Sequence, residues 1–259
     1  MAIDEALLTS VGDGLSPPTL RFYTWRSSWI SLGSAQRGDD LDRDVLTKLR
    51  WGVVRRPSGG TAVAHQGQLG YATVLAANHQ MWQGDLVHSY QRMSEPLAAA
   101  FAALGVALDA APPGANAEFV RGAPALAARV CFAALGPYEL QRSGRKIVGN
   151  AQVRRKSAAL QHGVIQLRDC QIDVIHVLAN AGDDEKSNLA DYLATRVGSL
   201  EEETGRAMSA DEVAGAIVSA FERSLGLRLV DGDLTEFEAR GAHELSETKY
   251  ANASWTFRR

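Results

Sequence analysis

The sequence is short of cysteine, of net charge and of long apolar runs, and each shortage removes a class of function. Only two cysteines, Cys131 and Cys170, occur in 259 residues, too few for a disulfide framework, and neither a histidine nor a second cysteine stands at metal-ligand spacing from Cys170. Basic and acidic side chains nearly cancel, 27 against 30, for a formal charge of −3. No electrostatic footprint for wrapping nucleic acid or coating an anionic membrane results. No apolar stretch is long enough to span a bilayer, and no apolar signal region follows a basic start. A cytoplasmic address is the expectation, with both cysteines held as thiols. The chain also has no H-x-x-x-H pair, no glycine loop ending in Gly-Lys-Ser/Thr and no G-x-S-x-G elbow, which sets aside zincin, phosphate-loop and α/β-hydrolase chemistry.

What is there is a composition 46% hydrophobic, enough to bury a sizeable core. Apolar spacing predicts a helix at residues 2–8. Two strands rich in aromatic and β-branched residues follow at 19–25 and 29–33, divided by a polar turn and most simply read as a hairpin. A short surface helix at 39–49 leads to a strand from Gly52 to Arg56, another strand spans 69–75, and a helix at 88–104 ends at Gly105. Residues 110–128, rich in Ala, Pro and Gly, read as a flexible or covering loop just ahead of Cys131. Strands at 138–141, 145–149 and 160–167 form an antiparallel meander. Near the end, Ser209 is placed to cap a helix over 213–225, with Glu212 where a capping box wants it. The fold class is α+β, a mixed, largely antiparallel sheet with packed helices.

The residues that carry chemistry are few. In Arg55-Arg56-Pro57-Ser58-Gly59-Gly60-Thr61-Ala62-Val63-Ala64-His65 a glycine pair follows a strand, where backbone N–H groups can approach a carboxyl, acyl carbonyl or phosphate without obstruction by Cβ. Taken alone it is more simply a tight turn. Cys131 follows an apolar stretch and, alone, reads as a small buried hydrophobe; a covalent role needs thiolate character, which Arg145-Lys146, one strand turn downstream, can supply. Lys146 by itself reads as an edge-strand charge and His162 as a core imidazole.

Together these segments resemble the lipoate–protein ligase and octanoyltransferase family, related to the biotin ligases, over nearly the whole chain. Ala2-Ile3-Asp4-Glu5-Ala6-Leu7-Leu8 looks like the family's first helix and residues 55–65 like its acyl-binding loop. Gly144-Arg145-Lys146-Ile147-Val148-Gly149-Asn150-Ala151-Gln152 is similar to G-R-K-[IV]-x-G-S-A-Q, Leu160-Gln161-His162-Gly163 to the L-Q-H-G strand, and Lys249-Tyr250 with Trp255-Thr256-Phe257 to a K-Y…W-x-F ending. Cys131-Phe132 followed by Tyr138-Glu139-Leu140 resembles the cysteine-dependent octanoyltransferases. Asn150 stands where serine is usual, Thr61 where Gly or Arg is frequent, and Gln66 where aspartate is frequent.

The resemblance implies a single catalytic domain over residues 1–259 that lacks a first N-terminal strand and a separate C-terminal accessory domain. It implies Cys131 and Lys146 as catalytic residues. Substrate binding falls to Arg56, Ser58, Gly59, Gly60, Ala62, Val63, His65, Gly149, Asn150, Ala151, His162 and Gly163, with no metal. The implied reaction moves octanoyl from an acyl carrier protein through a Cys131 thioester to a lysine of a lipoyl-domain protein, a glycine cleavage H protein or a dehydrogenase E2 subunit, without a cofactor. An ATP- and Mg-dependent lipoate ligase and a non-catalytic lipoyl-binding subunit are the alternatives.

Overall fold

Successive side chains leave a strand on opposite faces, and the strand at residues 69–76 is buried on both. Leu69, Tyr71 and Leu75 join one core while Ala72 and Val74 join another, so layers must cover both sides of its sheet. The computed structural model describes residues 1–258 and supplies those layers. In chain order the strands are β1 (Thr19–Thr24), β2 (Trp29–Leu32), β3 (Gly52–Arg55), β4 (Val63–His65), β5 (Leu69–Ala76), β6 (Asp109–Ala110), β7 (Leu140–Arg142), β8 (Arg145–Arg154) and β9 (Ala158–Ile165). The helices are α1 (Ala2–Gly12), α2 (Arg43–Leu49), α3 (Leu86–Ala103), α4 (Asn116–Phe119), α5 (Asp183–Arg196), α6 (Leu200–Thr204), α7 (Ala210–Leu225), α8 (Glu236–Leu245) and α9 (Ala253–Thr256).

The main sheet has the order β1-β5-β9-β8-β7-β6 and is antiparallel at every pairing. Helices α3 and α7 cover one face: Met93, Leu97 and Phe101 of α3 and Val213, Ile217 and Phe221 of α7 recur at helical spacing and are buried against Tyr71, Ile147 and Ile165. Each such side chain contributes about 1.5–3 kcal/mol on burial. On the other face α1 presents Leu7, Leu8 and Val11 to Ala72, Val74 and Leu160. No helix among the described residues is long and apolar enough to cross a membrane.

The meander at β7–β8–β9 forms as its sequence predicts, and so do the helices at both ends. The expected hairpin of the first two strands does not form. Instead β1 pairs with β5 in the main sheet, while β2 enters a second sheet of order β3-β2-β4, parallel to β3 and antiparallel to β4. The turn between them therefore bridges two sheets; strand composition specified both strands but carried no information about their partners. Residues 110–128 are likewise not a bare loop. They contain α4, whose Phe119 is buried with Ala111 and Leu135, followed by a 3₁₀ turn at Ala125–Arg129. At Ser209 the hydroxyl accepts from Glu212 N at 3.1 Å, but the Glu212 carboxylate turns to Arg206 instead of closing the box.

Candidate active site

Between β3 and β4 the chain bends around a buried arginine. Arg56 Nη1 donates to Ser31 O (3.0 Å) and Oγ (3.2 Å), Nη2 to Gly59 O (2.9 Å) and Thr61 O (2.8 Å), and Nε to Gly59 O (3.2 Å). One guanidinium thus ties two carbonyls of the turn to Ser31 of β2, which its rigid fork of donors suits better than an ammonium would. At its tip Gly60 has φ +88°, the left-handed region that glycine enters without penalty. A Cβ there would lie 2.7 Å from Arg56 Nη2 and 3.5 Å from Cys131 Sγ, so the glycine is what lets cation and thiol share this corner. Neighbouring Arg55 is fully buried and tethers the other end of the chain, donating to Trp255 O at 3.0 Å and Gly33 O at 2.6 Å. Arg55 of the loop and the W-x-F ending are parts of one contact, closed by Trp255 Nε1 donating to Arg55 O at 3.1 Å.

Cys131 opens a 3₁₀ turn, Cys131–Ala133. Its amide donates to Ala62 O at 2.9 Å, and Ala62 N donates to Arg129 O at 3.0 Å, so the cysteine turn is laid against the glycine loop like a short strand. The thiol is partly exposed. Cys170 differs: it is buried, contacted by Gln68 Nε2 at 3.1 Å, and burial pushes its thiol up to about 12.

Lys146 is 1% exposed, not the solvated edge charge that its position suggested. A register shift leaves Leu140 and Gln141 of β7 opposite Val148 and Lys146 of β8, so Ile147 is an extra residue, a β-bulge. The bulge turns Lys146 to the side of Gly149, its Cε 3.0 Å from where a Cβ on Gly149 would sit. Nζ then meets Glu139 Oε2 at 2.6 Å, Ala134 O at 3.0 Å and Cys131 O at 3.3 Å. All three ammonium donors are engaged, two of them by the cysteine turn. Glu139 also accepts from Gly136 N at 2.6 Å and Asn150 N at 3.0 Å, making it the hub that residue-by-residue reading left out of the site, although it lies within Tyr138-Glu139-Leu140. Arg145, the other candidate cation, points away to Glu202 and Val197 O.

These elements surround a pocket. Arg56, Val63, His65 and Cys131 line it from the small sheet and its loop; Gly149, Asn150, Ala151, His162 and Gly163 line it from β8 and β9. Lys146, Ser58, Gly59, Gly60 and Ala62 stand just behind that lining. Met1, Tyr23, Ser31, Phe132 and Val164 also face it; Tyr23, Ser31 and Phe132 come from strands and a turn whose pairing the sequence does not announce.

Two histidines make the pocket's polar contacts. His162 Nε2 is 2.6 Å from Ser58 Oγ, and its Nδ1 is 3.4 Å from Asp4 Oδ2, an aspartate also held by Arg21 at 2.7 Å. With the carboxylate receiving Nδ1–H, Nε2 is the acceptor and Ser58 donates. His65 stacks on Trp25 with ring centroids 4.1 Å apart, and its nitrogens meet Ser31 Oγ at 2.8 Å and Gln68 Oε1 at 3.1 Å. Burial lowers both imidazoles, His65 to about 3, so both are neutral at neutral pH.

What the arrangement offers is an accessible thiol beside a buried guanidinium, with a lysine fixing its turn and apolar walls leading away. The chain matches the family described as Lipoyl protein ligase A/B catalytic domain over residues 1–222. It is 37% identical to Octanoyltransferase LipM of Symbiobacterium thermophilum and 30% identical to Octanoyltransferase LipM of Bacillus anthracis, in each case over 100% of this chain and 93% of the relative. Among solved structures it is similar to a bi-partite lipoate protein ligase of Thermoplasma acidophilum, with a TM-score of 0.79 and 25% identity over 99% of this chain and 89% of that one. By the extent of these matches, the chain belongs to the lipoyl protein ligase A/B catalytic-domain family.

Proposed function

We propose that the chain is an octanoyltransferase of protein lipoylation that carries the acyl group as a thioester on Cys131. Full-length identity to octanoyltransferases supports acyl transfer. The observation that carries the residue assignment is the setting of Cys131: a partly exposed thiol in a pocket, docked by backbone bonds beside Arg56, while the chain's other cysteine is buried and inert.

The donor is an octanoyl thioester of acyl carrier protein. Cys131 sulfur adds to its carbonyl carbon, the carbon–sulfur bond to the carrier breaks, and the carrier leaves as a thiol. The ε-amine of a lipoyl-domain lysine, on a glycine cleavage H protein or a dehydrogenase E2 subunit, then displaces Cys131. Arg56 holds its guanidinium on the far side of Gly60 from the sulfur that attacks and later leaves. Lys146 stabilises the negative charge that develops on the acyl oxygen, exchanging its longest bond, the one to Cys131 O, for that contact; such a donor is worth about 3 kcal/mol in a transition state. Ser58, Gly59, Gly60 and Ala62 form the rigid backing of the site. Val63, Phe132 and Val164 provide apolar wall, where each buried CH₂ contributes about 0.8 kcal/mol. Neither ATP nor metal takes part.

Intact-mass measurement after incubation with octanoyl-acyl carrier protein, without ATP, tests this. A hydroxylamine-sensitive gain of one octanoyl group, absent in Cys131→Ser together with loss of acceptor octanoylation by a factor on the order of 10³ or more, is the expected result. No adduct, with ATP-dependent modification of a lipoyl domain by both proteins, overturns it.

A further inference from the structure

An acyl chain carried on Cys131 needs a slot, and the sheet register shows where that slot ends. Directly opposite residues of neighbouring antiparallel strands present their side chains to one face. Tyr23 of β1, Gly70 of β5, Val164 of β9 and Gly149 of β8 therefore form one row across the sheet, and Arg21, Ala72, His162 and Ala151 form the next row on that face. Phe22, Tyr71, Gly163 and Asn150 lie between the two rows and face the other way, Tyr71 into the core with α3. The cysteine turn stands at the β8 end of the first row: Phe132 lies 3.0 Å from where a Cβ on Gly149 would sit, and Lys146 donates to Cys131 O. From there the pocket lining crosses β9 at His162, Gly163 and Val164 and passes to Tyr23; among the described residues none of β5 reaches it. The reason is the phenol. A Cβ on Gly70 would lie 2.5, 2.6 and 2.9 Å from Cε2, Cζ and Cδ2 of Tyr23, so the ring is laid across β5 toward β9, in space that only a glycine leaves. It is held there by the Arg21 guanidinium, 4.4 Å from the ring centre, and by the edge of Trp25 at 6.2 Å. Arg21 is fixed in turn by the buried Asp4 at 2.7 Å.

The length of the slot follows from strand spacing. Gly149 and Gly70 are two strands apart, about 9–10 Å across a sheet. An octanoyl chain lying across the strands advances about 1.2 Å per bond when extended, or about 8 Å from its carbonyl carbon to its methyl. The run from the cysteine turn to the phenol thus holds eight carbons to within about one CH₂. Resting on the Cys131 acyl-transfer reading above, we propose that Tyr23, seated on Gly70, is the residue that sets acyl-chain length. The terminal methyl of an octanoyl group meets its ring, a shorter chain leaves the end of the slot unfilled, and a longer one collides with the ring. Each CH₂ that loses its apolar burial lowers loading about fourfold.

Competitive loading tests this. The protein is incubated with an equimolar mixture of hexanoyl-, octanoyl-, decanoyl- and dodecanoyl-acyl carrier protein, and intact mass reads which acyl groups sit on Cys131. The wild type is expected to favour octanoyl over decanoyl. In Tyr23→Ala and Tyr23→Leu the decanoyl-to-octanoyl ratio is expected to rise on the order of 10-fold, because the added CH₂ groups find a place to be buried. Tyr23→Phe keeps the ring and is expected to keep the wild-type order of chain lengths. Gly70→Ala drives the phenol off β5 into the slot and is expected to move that order the opposite way, toward hexanoyl. An unchanged decanoyl-to-octanoyl ratio in both Tyr23→Ala and Tyr23→Leu overturns the proposal, as does a wild type that loads decanoyl and dodecanoyl as readily as octanoyl. A wild type that loads no acyl group at all fails earlier, on the Cys131 reading itself, and is thereby told apart from either result.

Discussion

Two cations reach the Cys131 turn, and they are held in opposite ways. Arg56 is buried with five hydrogen bonds, every one to a neutral oxygen of Ser31, Gly59 or Thr61; Lys146 is buried against the Glu139 carboxylate at 2.6 Å. The first therefore brings net positive charge next to the sulfur, separated from it only by Gly60, and the second forms a locally neutral pair that grips the carbonyls of Cys131 and Ala134. The unneutralised charge acts at the sulfur, whereas the neutralised one fixes the turn and keeps one exchangeable donor, now on Cys131 O, for the acyl oxygen. Sequence proximity pointed to Arg145-Lys146 as the cation for the thiol; in the fold Arg145 turns away to Glu202, and Arg56 stands across Gly60 from the sulfur.

Removing the neutralising partner of Lys146 has the largest expected effect. Glu139→Gln leaves Lys146 buried without its carboxylate and is expected to cost about 3–5 kcal/mol. That is a fall in Tm of roughly 2–4 °C per kcal/mol, measured by thermal unfolding. The double variant Glu139→Leu/Lys146→Met, which removes both charges, should recover most of the loss in stability though not in activity. A double variant as unstable as the single would mean that shape rather than charge was lost.

Acid adds a charge on the Arg56 side instead. His65 shares Ser31 Oγ with Arg56 and, lowered by burial from 6.5 to about 3, stays neutral where the unfolded chain already protonates. Stability is thus complete above about pH 6.5 and falls as pH drops toward 3, by about 2 kcal/mol at pH 5 from this residue alone. His162, lowered by the same cause, acts in the same direction. Denaturant midpoints at pH 7 and pH 5 should separate clearly in the wild type and less in His65→Gln; equal separation in the two would assign the acid loss elsewhere.

The smallest effect sharpens the reactivity side. Arg56→Met, which removes the positive charge beside the sulfur, should slow alkylation of Cys131 by iodoacetamide at neutral pH, while Arg56→Lys, which keeps the charge but not the fork, should slow it less. Lys146→Met slowing alkylation more than Arg56→Met would reverse the two assignments.

Much of the fold was legible because it is local. The apolar runs of β5 and β9, the Gly144 turn between β7 and β8, the Asp42 side chain capping α2 and the apolar stripe of α7 each follow from neighbours within a few residues. The first two strands were recognised and their pairing was not, since β1 finds its partner β5 across intervening strands and β2 lies in a different sheet. Most residues at the pocket were also named in advance, but Met1, Tyr23, Ser31, Phe132 and Val164 were not, because no local pattern separates a residue facing a pocket from one facing a core. Glu139 was visible only as part of a motif; its bond to Lys146 depends on a bulge at Ile147 that no residue type signals.

Sequence alone determined the elements, the family resemblance and the inventory of reactive groups, since propensity, period and motif are properties of short stretches. Only the tertiary structure decided how those groups face one another: which cysteine is accessible, which cation stands at the sulfur, and that Asp4, His162 and Ser58 form one hydrogen-bonded chain. Those relations depend on burial and on contacts between residues far apart in the chain, where desolvation makes each pairing obligatory and each unpaired atom informative.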